Sequence, residues 1–220
     1  MIYREFENSP ELTSDVATLL TEYFTSACGL ILPGGTTPFS VYEELRQNPP
    51  KAGDDLHIML SDERYVPIVH ESSNYGRMVP MFDAIGTDTS RLLHVDTDLP
   101  FDEAVDGYGE SVSRFISDGG TISLALLGLG VDGHTASLFS DQHIESGCGK
   151  CAVGVVGPDQ LQRISLTAEV IRRAERIIFV VSGQKKKDIV GDILINPFAI
   201  TAGKVIDGAS EVEMWYSLYD

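Results

Sequence analysis

The chain has 220 residues, 43% hydrophobic and 22% charged, with a formal net charge of −17. That is enough apolar sequence for one sizeable domain, expected over residues 1–220. The acidic balance counts against a nucleic-acid partner and against an anionic membrane surface, both of which reward basic faces. No apolar run approaches the ~20 residues that span a bilayer. Residues 1–10 carry Arg4, Glu5 and Glu7 without an apolar core, so the expected location is cytoplasmic.

Short apolar runs alternate with helical patterns from end to end, which predicts α/β architecture. A helix is expected over 10–28 and a buried strand over 29–32, ending in Pro33-Gly34-Gly35. Residues 39–46 read as a helix that Asn48-Pro49-Pro50 ends, and 56–60 as a second buried strand running into Ser61-Asp62-Glu63-Arg64. A loop through Pro67 and Ser72-Ser73-Asn74 precedes a strand at 91–95. Residues 102–117 have the spacing of an amphipathic helix, and 122–127 are a strongly apolar strand entering Gly128-Leu129-Gly130. Short strands are expected at 152–156 and 163–166, a helix at 168–174, a strand at 176–181 and a helix at 185–194. From Thr201 the sequence suggests one or two terminal strands. Strands of an open α/β sheet gather their carboxyl ends in one crevice. The turns at 33–38, 61–64, 128–134 and 182–186 are therefore expected to converge.

Those turns carry the candidate chemistry. In Pro33-Gly34-Gly35-Thr36-Thr37-Pro38, two glycines follow a strand and two hydroxyls precede a helix. Backbone N–H groups at a helix start favour an anion, glycine admits close approach, and Thr36 or Thr37 is positioned to cap the helix with Pro38 at its first position. The turn is neither GxGxxG nor a Walker loop, which weighs against dinucleotide and ATP sites. His134 lies in the glycine-rich turn from Gly128 to Gly133, where an imidazole can take a proton from water, and Asp132 is close enough in sequence to orient it. Arg64 can hold an anion through two donors. Arg163 and Lys186 are the other cations of interest, the latter in a turn after Gly183.

Cys148-Gly149-Lys150-Cys151 is a CxxC without a second pair, and His143 is its only nearby candidate partner. A zinc site needs about four ligands, so these residues are read as an ordinary loop, and Cys28 as a small buried hydrophobe. His57, His70 and His94 are scattered. No metal and no cofactor is expected.

Taken as a series, these stretches resemble the 6-phosphogluconolactonase family, within the wider group that includes glucosamine-6-phosphate deaminases. The matching pieces are Gly34-Gly35-Thr36-Thr37-Pro38, the run from Ser61 to Pro67 with Ser73-Asn74 downstream, the run from Gly128 to Phe139, the run from Arg163 to Thr167, and Gly183-Gln184-Lys185-Lys186. The resemblance implies a Rossmann-like, doubly wound, mostly parallel sheet with helices on both faces. It implies hydrolysis of a small phosphorylated sugar lactone, with His134 as base. It also implies that Gly34, Gly35, Thr36 and Thr37 form a phosphate-side turn and that Arg64, Arg163 and Lys186 bind substrate or phosphate. Asp62 falls among the substrate-side residues. Ser140 stands where the family usually has proline, and the 140–151 loop fits none of its motifs. Two other readings remain. A deaminase of the group carries glutamate five residues after the motif histidine, where this chain has Phe139; Asp62 would be its second base. A non-catalytic sugar-phosphate sensor would have no need of the His134 and Asp132 pair.

Overall fold

The computed structural model describes residues 1–26 and 28–219. In chain order its elements are β1 (Ile2–Phe6), α1 (Ser9–Ser26), β2 (Gly29–Leu32), α2 (Thr36–Gln47), β3 (His57–Leu60), β4 (Asp62–Arg64), α3 (Asn74–Ile85), β5 (Leu92–Leu93), α4 (Phe101–Ser117), β6 (Ile122–Leu127), α5 (Asp141–Ser146), β7 (Ala152–Val156), β8 (Gln162–Leu166), α6 (Ala168–Ile171), β9 (Arg176–Ser182), α7 (Lys187–Ile195), α8 (Thr201–Val205) and β10 (Val212–Ser217). Seven strands form one sheet in the order β1-β10-β9-β6-β2-β3-β5, and every pairing in it is parallel.

The strands read as apolar runs because both faces of the sheet are buried. Along β2, Leu30 and Leu32 enter one core while Ile31 enters the other, and β6 divides Leu124 and Leu126 from Ala125 and Leu127 in the same way. Side chains alternate across a strand, so one apolar segment feeds both layers. Leu12, Val16, Leu20 and Phe24 of α1 cover the first face together with α2 and α3. Ala104, Tyr108, Val112 and Phe115 of α4, spaced by three and four residues, cover the second with α7 and α8. The architecture is thus doubly wound. Among the described residues, no helix is long and apolar enough to cross a membrane.

Two features place the site. The chain runs from β2 to β3 and β5 on one side, then returns to β6 on the other side of β2. The loops leaving β2 and β6 therefore diverge at a topological switch point, where such sheets open a crevice. Beyond β3 the chain leaves the large sheet at Ser61 and joins a second, antiparallel sheet ordered β4-β8-β7. Its register sets Asp62 opposite Ser165 and Arg64 opposite Arg163. Tyr108 of α4 donates its hydroxyl to the Leu60 carbonyl at 2.5 Å, which fixes the end of β3 just before this departure.

Several elements differ from expectation. The Asp62–Arg64 segment, read as a turn, is a strand, because β8 supplies its partners. The loop after Pro67 contains α3, concealed by Gly76 and Pro80 inside it. Gly76 is required there, since a Cβ would lie 2.0 Å from the Ile68 carbonyl oxygen, and Ser73 caps the helix by accepting from Gly76 N–H. The strand expected at 91–95 shortens to Leu92–Leu93. Thr201–Val205 is helical where a strand was expected, anchored by Ala202 N–H donating to Gly133 O at 2.8 Å. β1 and α5 were not anticipated. Ser140 caps α5, its side chain accepting from the His143 N–H. α1 ends at Ser26, and residue 27, inside the expected helix, lies outside the described residues. Cys28 is half-buried at the edge of the core rather than enclosed.

Candidate active site

The loop after β6 is built to hold one imidazole. Gly130 N–H donates to His134 O at 2.8 Å and Gly133 N–H to Gly130 O at 3.1 Å, closing a tight turn. Gly133 adopts φ +83°, a left-handed conformation that favours glycine. Thr135 ties the turn back to the strand by donating its hydroxyl to Gly128 O at 2.8 Å. His134 Nδ1 lies 2.5 Å from Asp132 Oδ1. An ionised carboxylate only accepts, so Nδ1 carries the proton and Nε2 of the neutral ring presents its lone pair. Burial works to raise the Asp132 carboxyl, but the bonds with His134 prevail and hold it below the ordinary carboxylate value. The Phe139 ring braces the imidazole, with centroids 4.4 Å apart.

His134 opens onto a cleft of about 210 Å³ also lined by Gly34, Gly35, Ser61, Asp62, Arg64, Asn74, Arg163 and Lys186. The four turns thus meet at one place. Arg64 and Arg163 face each other across the β4–β8 pair. Like charges in direct register repel, so this position suits an anion between them. Arg64 Nη1 donates to Ser72 O at 2.9 Å, while the buried Nε atoms of both arginines have no partner. Lys186 donates its ammonium to Leu129 O in the histidine loop. Burial pulls it below the ordinary lysine value, with Asp132 working the other way.

Asp62 is held by two hydroxyls, Ser61 Oγ at 2.9 Å and Ser137 Oγ at 2.6 Å. Asn74 donates to Asp62 O at 2.9 Å, leaving its buried Oδ1 unpartnered. That amide forbids a side chain at residue 34, where a Cβ would lie 2.0 Å from Asn74 Oδ1. Glu63, fully buried, accepts N–H bonds from Arg64, Asn74 and Tyr75, each at 2.7 Å, so it serves the frame of the site rather than the cleft.

Thr36 and Thr37 do not line this cleft. They line an adjoining recess of about 550 Å³ that shares Gly34, Gly35, Gly128, Leu129 and Lys186 with it. Nor does either threonine cap α2. Gly35, with φ +113°, holds the cap position without a side-chain bond, which puts Pro38 at the third helical position rather than the first. The start of α2 is accordingly free of any side-chain acceptor, while Thr37 Oγ1 pairs with Ser182 Oγ at 2.7 Å. Asp132 sits behind His134 and not on the cleft wall. Ser61, Asn74 and Ser137 were missed as site residues. All three lie in stretches that match the family, but what Ser61 and Ser137 do, holding Asp62, is visible only in the folded contacts.

The CxxC is set apart from this cleft. Its sulfurs are free thiols, Cys148 exposed and Cys151 half-buried. Among the described residues, no group of three or more His, Cys, Asp or Glu side chains is arranged to hold a metal ion.

Comparison with known proteins adds the context. Residues 7–209 match the family described as glucosamine-6-phosphate isomerases/6-phosphogluconolactonase. The 6-phosphogluconolactonase of Thermotoga maritima is 31% identical over 169 residues, covering 75% of this chain and 74% of the relative. A crystal structure of a 6-phosphogluconolactonase from Thermotoga maritima superposes with a TM-score of 0.81 at 24% identity, covering 98% of this chain and 99% of that one. The 6-phosphogluconolactonase of Haemophilus influenzae is 33% identical over 171 residues, 76% and 73% of the two chains. A monomeric glucosamine-6-phosphate deaminase also superposes, with a TM-score of 0.82 over 99% and 97% of the chains, but at 17% identity this likeness concerns the fold alone.

Proposed function

Because the chain belongs to the glucosamine-6-phosphate isomerase/6-phosphogluconolactonase family, we propose that it hydrolyses 6-phospho-D-glucono-1,5-lactone to 6-phospho-D-gluconate in the oxidative pentose phosphate pathway. One observation carries the reading. An imidazole oriented by a carboxylate opens onto a cleft that also holds two arginines and a lysine. Relatives 31% and 33% identical bear the name 6-phosphogluconolactonase.

Arg163, Lys186 and the uncapped start of α2 hold the phosphate, which brings the lactone carbonyl carbon to His134 and supplies orientation. Nε2 of His134 takes a proton from water as the oxygen attacks C1. Asp132 steadies the imidazolium that forms. The charge growing on the carbonyl oxygen is met by Arg64 or by loop N–H groups. When the bond from C1 to the ring oxygen breaks, the imidazolium returns its proton to that oxygen, and the ring opens to the acid. Asp62 and Asn74 accept from sugar hydroxyls. No step calls for a metal or cofactor. The anionic substrate does not cross a bilayer unaided, so this reading goes with a cytoplasmic location.

Freshly prepared phosphogluconolactone, followed through product oxidation by a coupled dehydrogenase, tests the proposal. Opening should far exceed the spontaneous rate, persist after treatment with a chelator and fall sharply for unphosphorylated gluconolactone. Turnover at the spontaneous rate overturns it, and ammonia release from glucosamine 6-phosphate would replace it with deamination.

A further inference from the structure

The hairpin between β7 and β8 wraps the guanidinium that the proposed function assigns to phosphate. Asp159 Oδ2 lies 2.5 Å from Arg163 Nη2, while Asp159 Oδ1 accepts the Leu161 N–H at 3.2 Å. One carboxylate thus joins the arginine to the tip of its own hairpin. Gly157 N–H closes the tip on Leu161 O at 2.8 Å, and Gln160 is held at φ +66°, a conformation uncommon outside glycine. The fit around the arginine is close: a Cβ on Gly157 would lie 2.6 Å from both Arg163 Nε and Asp159 Oδ1. The backbone of Gly157 therefore covers the Nε edge, and the carboxylate takes a donor of Nη2. On another side the guanidinium carbon lies 5.5 Å from the centroid of the Phe139 ring, the same ring that braces His134.

We propose that Asp159 is a positioning residue for the phosphate group of the substrate: by gripping one edge of Arg163 it aims the remaining donors into the cleft. This rests on the reading of Arg163 as a phosphate ligand. Without that grip, Arg163 loses its carboxylate partner and keeps Arg64 as a like-charged neighbour across the strand pair. The competing effect is repulsion between Asp159 and the phosphate. Exposure decides between them. The Asp159 side chain is 46% exposed and that of Arg163 12%, so water screens the carboxylate's longer-range repulsion while the direct, charge-assisted bond keeps its directional hold.

Asp159→Ala and Asp159→Asn, measured beside the wild type, test this in two assays. One is steady-state opening of the phosphorylated lactone. The other is calorimetric binding of inorganic phosphate. Asp159→Ala should raise KM and weaken phosphate binding by about tenfold, the scale of one charge-assisted bond, with kcat within about twofold of wild type. Asp159→Asn, which keeps an acceptor oxygen of the same reach, should fall between the two. Opening of unphosphorylated gluconolactone should not change, as it would if the hairpin merely unfolded. Unchanged or tighter phosphate binding in Asp159→Ala overturns the proposal, the tighter case making Asp159 a competitor. If the wild type fails to open the lactone while phosphate binding still weakens in Asp159→Ala, the function falls and the positioning role stands.

Discussion

Asp132 Oδ1 and His134 Nδ1 lie 2.5 Å apart, and both atoms press on the backbone of Gly130, where a Cβ would sit 2.4 Å from the first and 2.2 Å from the second. The pair and the glycine are thus one unit. Three residues in a five-residue loop decide where the imidazole points and which nitrogen carries the proton.

Replacing His134 by alanine is expected to lower kcat by about 100-fold or more, the usual worth of a general base. Asp132→Ala should cost less, on the order of tenfold, because the imidazole remains and loses the carboxylate that orients it and steadies its protonated form. KM should stay near wild type in both. Steady-state kinetics corrected for spontaneous hydrolysis read the result, and near-normal turnover of His134→Ala removes it from the base role.

Gly130→Ala should behave like the histidine variant without touching it. The new methyl must displace the ring or the carboxylate, so kcat falls by about 100-fold while thermal unfolding stays close to wild type. A variant with normal kcat would mean that the pair relaxes around the methyl without loss of geometry.

Under the proposed role of Lys186 as a phosphate ligand, phosphate binding should be sensitive to pH. Burial pulls its ammonium below the ordinary lysine value, so it loses its proton earlier than an exposed lysine as pH rises. The charge that attracts phosphate is present below that lowered value and lost above it. Binding of 6-phosphogluconate, followed by calorimetry, should therefore weaken on the alkaline side before an ordinary lysine would titrate. Lys186→Arg should remove this alkaline limb, since guanidinium stays charged. An identical pH profile in the arginine variant would show that another group is responsible.

Glu63→Gln tests the frame of the site. The carboxylate accepts from the N–H groups of Arg64, Asn74 and Tyr75 and from the Ser73 hydroxyl. Glutamine turns its NH₂ toward some of these donors and leaves them unmet. A loss of about 2 kcal/mol is expected, which lowers Tm by about 4–8 °C in a chain of this size. KM should rise as well, because Asn74 depends on the same carboxylate. Differential scanning calorimetry and kinetics on one preparation check both, and an unchanged Tm would show that the frame does not need the charge.

By itself the sequence determined the buried apolar strands β2, β3, β6 and β9, the long amphipathic helix α4, and the glycine-rich turns that end β2 and β6. Each is a local pattern: an apolar run buried on two faces, a period of three and four, or a glycine where the chain must turn closely. His134 and Asp132 drew attention because they stand in such a turn and Lys186 because it follows Gly183, whereas Arg64 and Arg163 stood out only as cations, and the binding role of Arg163 was implied by the family resemblance alone. Only the tertiary structure decided the rest. β4 is a strand because β8 lies beside it, and the opposition of Arg64 and Arg163 exists only in that register. α3 forms despite its internal Gly76 and Pro80 because Glu63, eleven residues before Asn74, supplies acceptors for its first N–H groups. Thr36 and Thr37 belong to the adjoining recess because α2 begins earlier than its apolar spacing suggests. Contacts between residues distant in the chain leave no period behind them, so Ser137 on Asp62, 75 residues apart, was settled only when the two loops met.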